Sequence, residues 1–171
     1  MRERPTARVL LFDPAGRILL MHGVLPSDPG GPSFWFTVGG GLEPGESLHE
    51  AAAREIREET GFADAELGPV VWYSEGLLTL HDDQPALFKE HYIIARTTGG
   101  DPSRGGWDDL EQRYVDGQRW WTLGEIRASD ETIYPEGLGE LLEDVLAGRF
   151  ASEPLVIRTL DGVVRPLPRV I

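Results

Sequence analysis

Three glutamates, Glu55, Glu58 and Glu59, lie three and four residues apart in a stretch rich in alanine, glutamate and arginine. On a helix that spacing sends all three carboxylates to one side. Glu55 and Glu59 then form a like-charge pair, which costs a few tenths of a kcal/mol in an isolated helix. A bound cation removes that cost. Carboxylate oxygens are the ligands that magnesium and manganese favour, and magnesium commonly adds water and phosphate oxygens to a small protein set. The bland alternative is a solvated face, held by pairs such as Glu50–Arg54 and Arg54–Glu58. What precedes the stretch decides between them.

An apolar run, Phe34 to Val38, ends in Gly39-Gly40-Gly41 and then Pro44-Gly45. Glycines there let the backbone come close to an ion or a phosphate, and a carbonyl can add a ligand. Ser47-Leu48-His49-Glu50 has the form of a capping box, so a helix is expected from Ser47 to Thr60, closed by Gly61. Leu48, Ala52 and Ile56 mark its buried stripe.

The segment from Gly40 to Phe62 reads GGLEPGESLHEAAAREIREETGF. It resembles the signature of the Nudix hydrolases at Gly40, Glu46, Arg54, Glu55, Ile56, Glu58, Glu59, Gly61 and Phe62. The resemblance implies an α/β/α sandwich with a mixed β-sheet, and hydrolysis of phosphoanhydride bonds in a nucleoside diphosphate linked to another group. It implies magnesium or manganese as cofactor, with Glu55, Glu58 and Glu59 as ligands and Gly40 lending a carbonyl. Arg54 and Glu46 match positions that brace the loop against the helix. Val38 departs from the proline that many relatives carry, which touches loop rigidity rather than chemistry. For the proton acceptor, Glu58 is one candidate; Glu90, or Asp108, Asp109 and Glu111 in a later loop, are others. Trp35, Phe36, Trp107 and Tyr134 lie near loops that border the expected pocket, and Trp35, Phe36 and Tyr134 are taken as substrate contacts.

The remaining chain supplies the frame. Thr6 to Phe12 and Arg17 to His22 read as strands around Asp13-Pro14-Ala15-Gly16. Val70 to Leu80 and Ala86 to Arg96 read as strands around a His81 to Pro85 turn. A loop follows from Thr97 to Glu111, then a strand from Arg113 to Trp121, a short helix from Thr122 to Ala128, and a helix from Pro135 to Ala147. One catalytic domain over residues 1–150 is expected. The tail, 151–171, alternates around Asp161-Gly162 as a hairpin that packs on the domain or makes a homodimer contact.

Composition excludes several classes. There are no cysteines, hence no disulfide, thiolate site or cysteine nucleophile. The histidines have no metal-ligand spacing, and no G-x-S-x-G motif supports a serine nucleophile. The stretch from Gly40 to Ser47 is one letter short of a P-loop, but the missing letter is its lysine, and Glu46 there repels phosphate. Acidic residues outnumber basic ones 29 to 16, for a net charge of −13. Such a surface repels a nucleic-acid backbone, so the expected partner is a small nucleoside diphosphate derivative, not long nucleic acid. No membrane span or signal peptide is evident, and the cytoplasm is the expected location. The window after the signature, Leu77 to Leu80, has neither the proline nor the tyrosine that marks some subclasses. That disfavours ADP-ribose and dinucleoside polyphosphates, and leaves nucleoside di- and triphosphates, nucleotide sugars and capped RNA ends. A catalytically inactive nucleotide-binding module is the rival class, but the glutamates it would be expected to lose are all present.

Overall fold

The computed structural model describes residues 2–79 and 84–158. The elements in chain order are β1 (Arg2–Phe12), β2 (Ile18–Gly23), β3 (Phe34–Gly41), α1 (Leu48–Thr60), β4 (Glu66–Thr79) and β5 (Pro85–Arg96). They continue with α2 (Asp109–Tyr114), β6 (Val115–Trp121), α3 (Leu123–Ala128), α4 (Leu138–Leu146) and β7 (Leu155–Arg158). Among the described residues seven strands form one sheet in the order β6-β2-β3-β1-β5-β4-β7. It is mixed: β1 runs parallel to β5 and β4 to β7, whereas the neighbouring pairs β1–β3, β2–β3, β2–β6 and β4–β5 are antiparallel.

Alternation along the strands divides the core in two. Ala7, Val9 and Leu11 of β1, with Leu19 and Met21 of β2, meet Ala51, Ala52 and Ile56 of α1 on one face. Leu10, Phe12, Ile18 and Leu20 meet Ile126 of α3 and Leu138, Leu142 and Val145 of α4 on the other. Helices therefore cover both faces, and the expected α/β/α sandwich is what forms. Among the described residues no helix is long and apolar enough to cross a membrane.

Local signals set several boundaries as expected. Ser47 and Glu50 complete the capping box of α1, and Gly61 closes the helix in the left-handed region at φ 78°. Thr122 and Glu125 form a second capping box at α3. Val38 is fully buried within β3, paired with Val9, so β3 runs through the place where many relatives carry proline.

Other boundaries shift. The expected loop to Glu111 and strand from Arg113 give way to α2, because Asp108 caps the Glu111 amide at 2.8 Å and Arg113 and Tyr114 are drawn into the helix. The strand begins at Val115. The last helix starts at Leu138, not Pro135, since Gly137 takes a left-handed turn at φ 76° before it. In the tail, Leu155–Arg158 pairs with the edge of β4. The expected hairpin at Asp161-Gly162 lies outside the described residues, as does most of the turn beginning at His81.

Candidate active site

The α1 helix docks through its apolar stripe, and the same docking carries two of its carboxylates inward. Glu55 and Glu59 are 8% and 6% exposed, whereas the Glu58 side chain is 46% exposed. Gly40 lies against the first of them: a Cβ built there would stand 2.3 Å from Glu55 Oε1. A side chain there would have to push the Glu55 carboxylate aside. The neighbouring Gly39 amide donates to Glu59 Oε2 at 3.2 Å. Thus the end of β3 and the middle of α1 are fitted together at the carboxylates themselves.

Arg54 organises the charge around them. Its Nε and Nη2 donate to the two oxygens of Glu46 at 2.8 and 2.9 Å, a bidentate pair. Nη2 also reaches Gly41 O at 3.1 Å, and Nη1 reaches Glu55 Oε1 at 2.9 Å and Glu58 Oε2 at 3.2 Å. Glu46 in turn accepts from the Glu43 amide at 2.9 Å, which ties the loop to itself. The hydrogen bonds from Arg54 and from that amide hold the Glu46 carboxyl down at about 2. Arg54 and Glu46 thus tie the loop after β3 to α1.

A fourth carboxylate arrives from α2. Among the described residues Glu111 Oε2 is buried with no hydrogen-bond partner. Burial, then the charge of Asp108, push the Glu111 carboxyl up to about 7, with a contribution from Glu55. Glu59 is driven well above the ordinary carboxylate range by burial first, then by the charges of Glu55 and Glu111. Burial is also the main cause that raises Glu55. Three acidic groups on two elements thus destabilise one another's charged forms.

As placed, no three histidine, aspartate or glutamate side chains among the described residues stand close enough together to hold a metal ion. Glu55 and Glu58 lean instead onto Arg54. The donor set nevertheless suits a small hard cation: every candidate ligand is oxygen, three carboxylates repel, and Gly40 brings the main chain against Glu55. The donors are thus of the kind a divalent cation takes, although the side chains as placed do not close around one.

The raised groups predict how stability responds to pH. An unfolded glutamate loses its proton near pH 4.3, whereas Glu111 holds its proton up to about 7. Between these values the folded state binds more protons, so stability falls as pH rises. Glu55 and Glu59 act in the same direction. Glu46 and Asp64, shifted the opposite way to about 2, lose their stabilising effect only below that window, whereas His91, its pKa lowered chiefly by burial, opposes part of the decline below about 6.5. In EDTA the melting temperature is therefore expected to decline from about pH 4.5 to about 7, and saturating manganese should flatten the decline. A metal-free melting temperature that rises across the same window would contradict the cluster.

The other expected site residues are dispersed. Glu90 shares the face of β5 with Tyr92 and Ile94, away from α1. Its Oε1 accepts from Arg8 Nε at 3.0 Å, and its Oε2 accepts from Ser74 Oγ at 2.9 Å and Tyr92 at 3.3 Å. Both oxygens are engaged, and Arg8 with these donors holds its pKa down despite burial. Trp35 and Phe36 are neighbours on β3 and so point to opposite faces. Trp35 packs on the α4 side against Trp121 and His22 and donates from Nε1 to Glu131 at 3.1 Å, while Phe36 packs on the α1 side. Tyr134 meets Phe34 edge-on at 5.4 Å, and its amide donates to Trp35 O. Trp107 is buried beneath the end of α1, where its Nε1 donates to Glu59 O. The helix that carries Glu111 had a readable cue, since Asp108-Asp109-Leu110-Glu111 places an N-cap residue three before a glutamate.

Comparison with known proteins agrees with this architecture. The NUDIX domain family model matches residues 2–143. The RNA pyrophosphohydrolase of Caulobacter vibrioides is 41% identical, over 94% of this chain and 95% of its own. The NUDIX domain of Shewanella oneidensis NrtR, complexed with ADP ribose, superposes with a TM-score of 0.61 at 15% identity, over 85% of this chain and 90% of that one. The MutT protein from Methanosarcina mazei Go1 gives 0.58 at 20% identity, over 83% and 91%. At those identities the two structures speak for the fold alone. The match over residues 2–143 and the full-length relative together show that the chain belongs to the Nudix hydrolase family.

Proposed function

We propose that Glu55, Glu58, Glu59 and Glu111, with the main chain at Gly40, hold magnesium or manganese and serve hydrolysis of a phosphoanhydride bond in a nucleoside polyphosphate moiety. The observation that carries this reading is the burial of Glu55 and Glu59 against Gly40 and Gly39, within reach of the charge of Glu111, whose Oε2 is buried without a hydrogen-bond partner. A divalent cation held by these carboxylates would offset the charge of the phosphate oxygens and ease deprotonation of the attacking water. Water oxygen adds to phosphorus, the bridging P–O bond breaks, and the water proton passes to a carboxylate. Glu111 is the proton acceptor favoured here, because its buried Oε2 has no competing donor. Glu90, engaged on both oxygens and facing the other side of the sheet, serves better to hold Arg8. Arg54 and Glu46 fix the loop that presents Gly40. Among the aromatic residues Tyr134, 38% exposed, is best placed to meet a nucleobase, with Trp35 behind it.

A second, narrower reading makes the substrate the phosphorylated 5′ end of an RNA. It is favoured by the relative named as an RNA pyrophosphohydrolase, which aligns over nearly the whole of both chains. A net charge of −13 offers no general attraction for the RNA backbone, so recognition on this reading is confined to the terminus. Purified protein incubated with nucleoside triphosphates, nucleotide sugars, ADP-ribose and a short 5′-triphosphorylated oligoribonucleotide decides between them. Turnover should require added magnesium or manganese and cease in EDTA. Hydrolysis of the free nucleotides alone removes the RNA reading, and undiminished turnover in EDTA removes the metal site.

A further inference from the structure

The segment between β5 and β6 does more than connect them. Its loop caps the C-terminus of α1 by tertiary contacts, where helix carbonyls are otherwise unsatisfied. The Ser103 amide donates to Thr60 O at 2.7 Å, and Trp107 Nε1 donates to Glu59 O at 2.8 Å. Gly106 presses on the same turn so closely that a Cβ there would lie 2.5 Å from Glu58 O. The Trp107 ring is 6% exposed, in a segment whose neighbouring residues are mostly exposed, with Arg104 stacked over it at 4.9 Å. Gln112 Nε2 returns to Trp107 O at 3.0 Å, and Asp108, the next residue, caps α2. Trp107 therefore bonds to the backbone of Glu59 through its indole, and through its own carbonyl to Gln112 of the helix that carries Glu111.

We propose that Trp107 is a positioning residue that sets the spacing between Glu111 on α2 and the carboxylates of α1, and thereby the affinity of the cluster for a divalent cation. The inference rests on the metal-site reading proposed above. Trp107 itself touches neither metal nor substrate. Its indole N–H fixes a main-chain atom of the very residue whose side chain belongs to the cluster, and a shift at that carbonyl moves Glu58 and Glu59 together relative to Glu111. Partners that orient ligands in this indirect way commonly govern metal affinity by about 10- to 100-fold.

The test is manganese binding to the full-length protein by titration calorimetry, for wild type, Trp107→Phe, Glu111→Gln and the double variant. Trp107→Phe keeps a ring but loses the N–H. It is expected to bind manganese about tenfold more weakly or worse, with kcat lowered and the nucleotide KM little changed. In the Glu111→Gln background the same substitution should weaken binding no further, because the spacing it controls no longer matters. Wild-type manganese affinity in Trp107→Phe overturns the inference. So does a Trp107→Phe loss that adds in full to that of Glu111→Gln, since a merely structural defect would do so. If Trp107→Phe does not fold, Gln112→Leu, which releases Trp107 O from the surface, takes its place with the same two outcomes. No manganese binding by wild type sinks the site reading and this inference together, whereas normal wild-type binding with an unaffected variant sinks the inference alone.

Discussion

Glu59→Gln is expected to lower kcat by at least about 100-fold while leaving the protein folded. Substituting residues that merely orient a metal ligand already costs about 10- to 100-fold, so loss of a charged ligand should lie at or beyond the upper end. Glutamine keeps the shape of the side chain and an oxygen able to accept from the Gly39 amide. What it removes is a charge that burial, Glu55 and Glu111 all disfavour. In EDTA above neutral pH the variant should thus melt no lower than wild type, and higher if the repulsion is as the geometry indicates. Added manganese should raise its melting temperature less than that of wild type. Turnover equal to wild type would end the assignment of α1 as the metal-bearing element.

Removing Arg54 should damage stability more than any of the glutamates does. In Arg54→Ala the carboxylates of Glu46 and Glu55, whose side chains are 12% and 11% exposed, lose their common counter-charge. Deleting the shared partner leaves these carboxylates facing one another, and the melting temperature is expected to fall by several degrees. Arg54→Lys should recover only part of it. An ammonium carries the charge but not the planar fork that meets Glu46 twice while reaching Gly41 O, Glu55 and Glu58. Manganese should restore stability to Arg54→Ala, because a cation can replace the guanidinium between Glu55 and Glu58. Denaturant unfolding of the three proteins with and without manganese checks this, and equal midpoints would show that Arg54 is a solvated surface charge after all.

How much of this was legible without coordinates depends on the range of the interaction. The α1 helix was: its cap at Ser47, its end at Gly61 and its apolar stripe are set by residues three or four apart, and the helix period alone places Glu55, Glu58 and Glu59 together. The motif around them identified the family and, with it, the sandwich. The strands β1 and β2 and the turn between them were similarly local, but β3 enters between them in the sheet and leaves them paired only at Phe12 and Ile18. Alternation also implied that Trp35 and Phe36 diverge, although which of them faces α1 needed the packing of the sheet.

Tertiary structure decided the rest. Glu90 and Glu111 are equally acidic in sequence, and nothing within a few residues of either says which meets α1. Sheet order puts Glu90 beside Arg8 on the far face, while the loop pinned by Trp107 carries Glu111 to Glu55 and Glu59. Capping and periodicity act through neighbours along the chain, and the sequence displays them directly. The pKa values, the orphaned Glu111 oxygen and the buried Trp107–Glu59 bond arise only when distant segments exclude water together, and that burial exists only in the folded molecule.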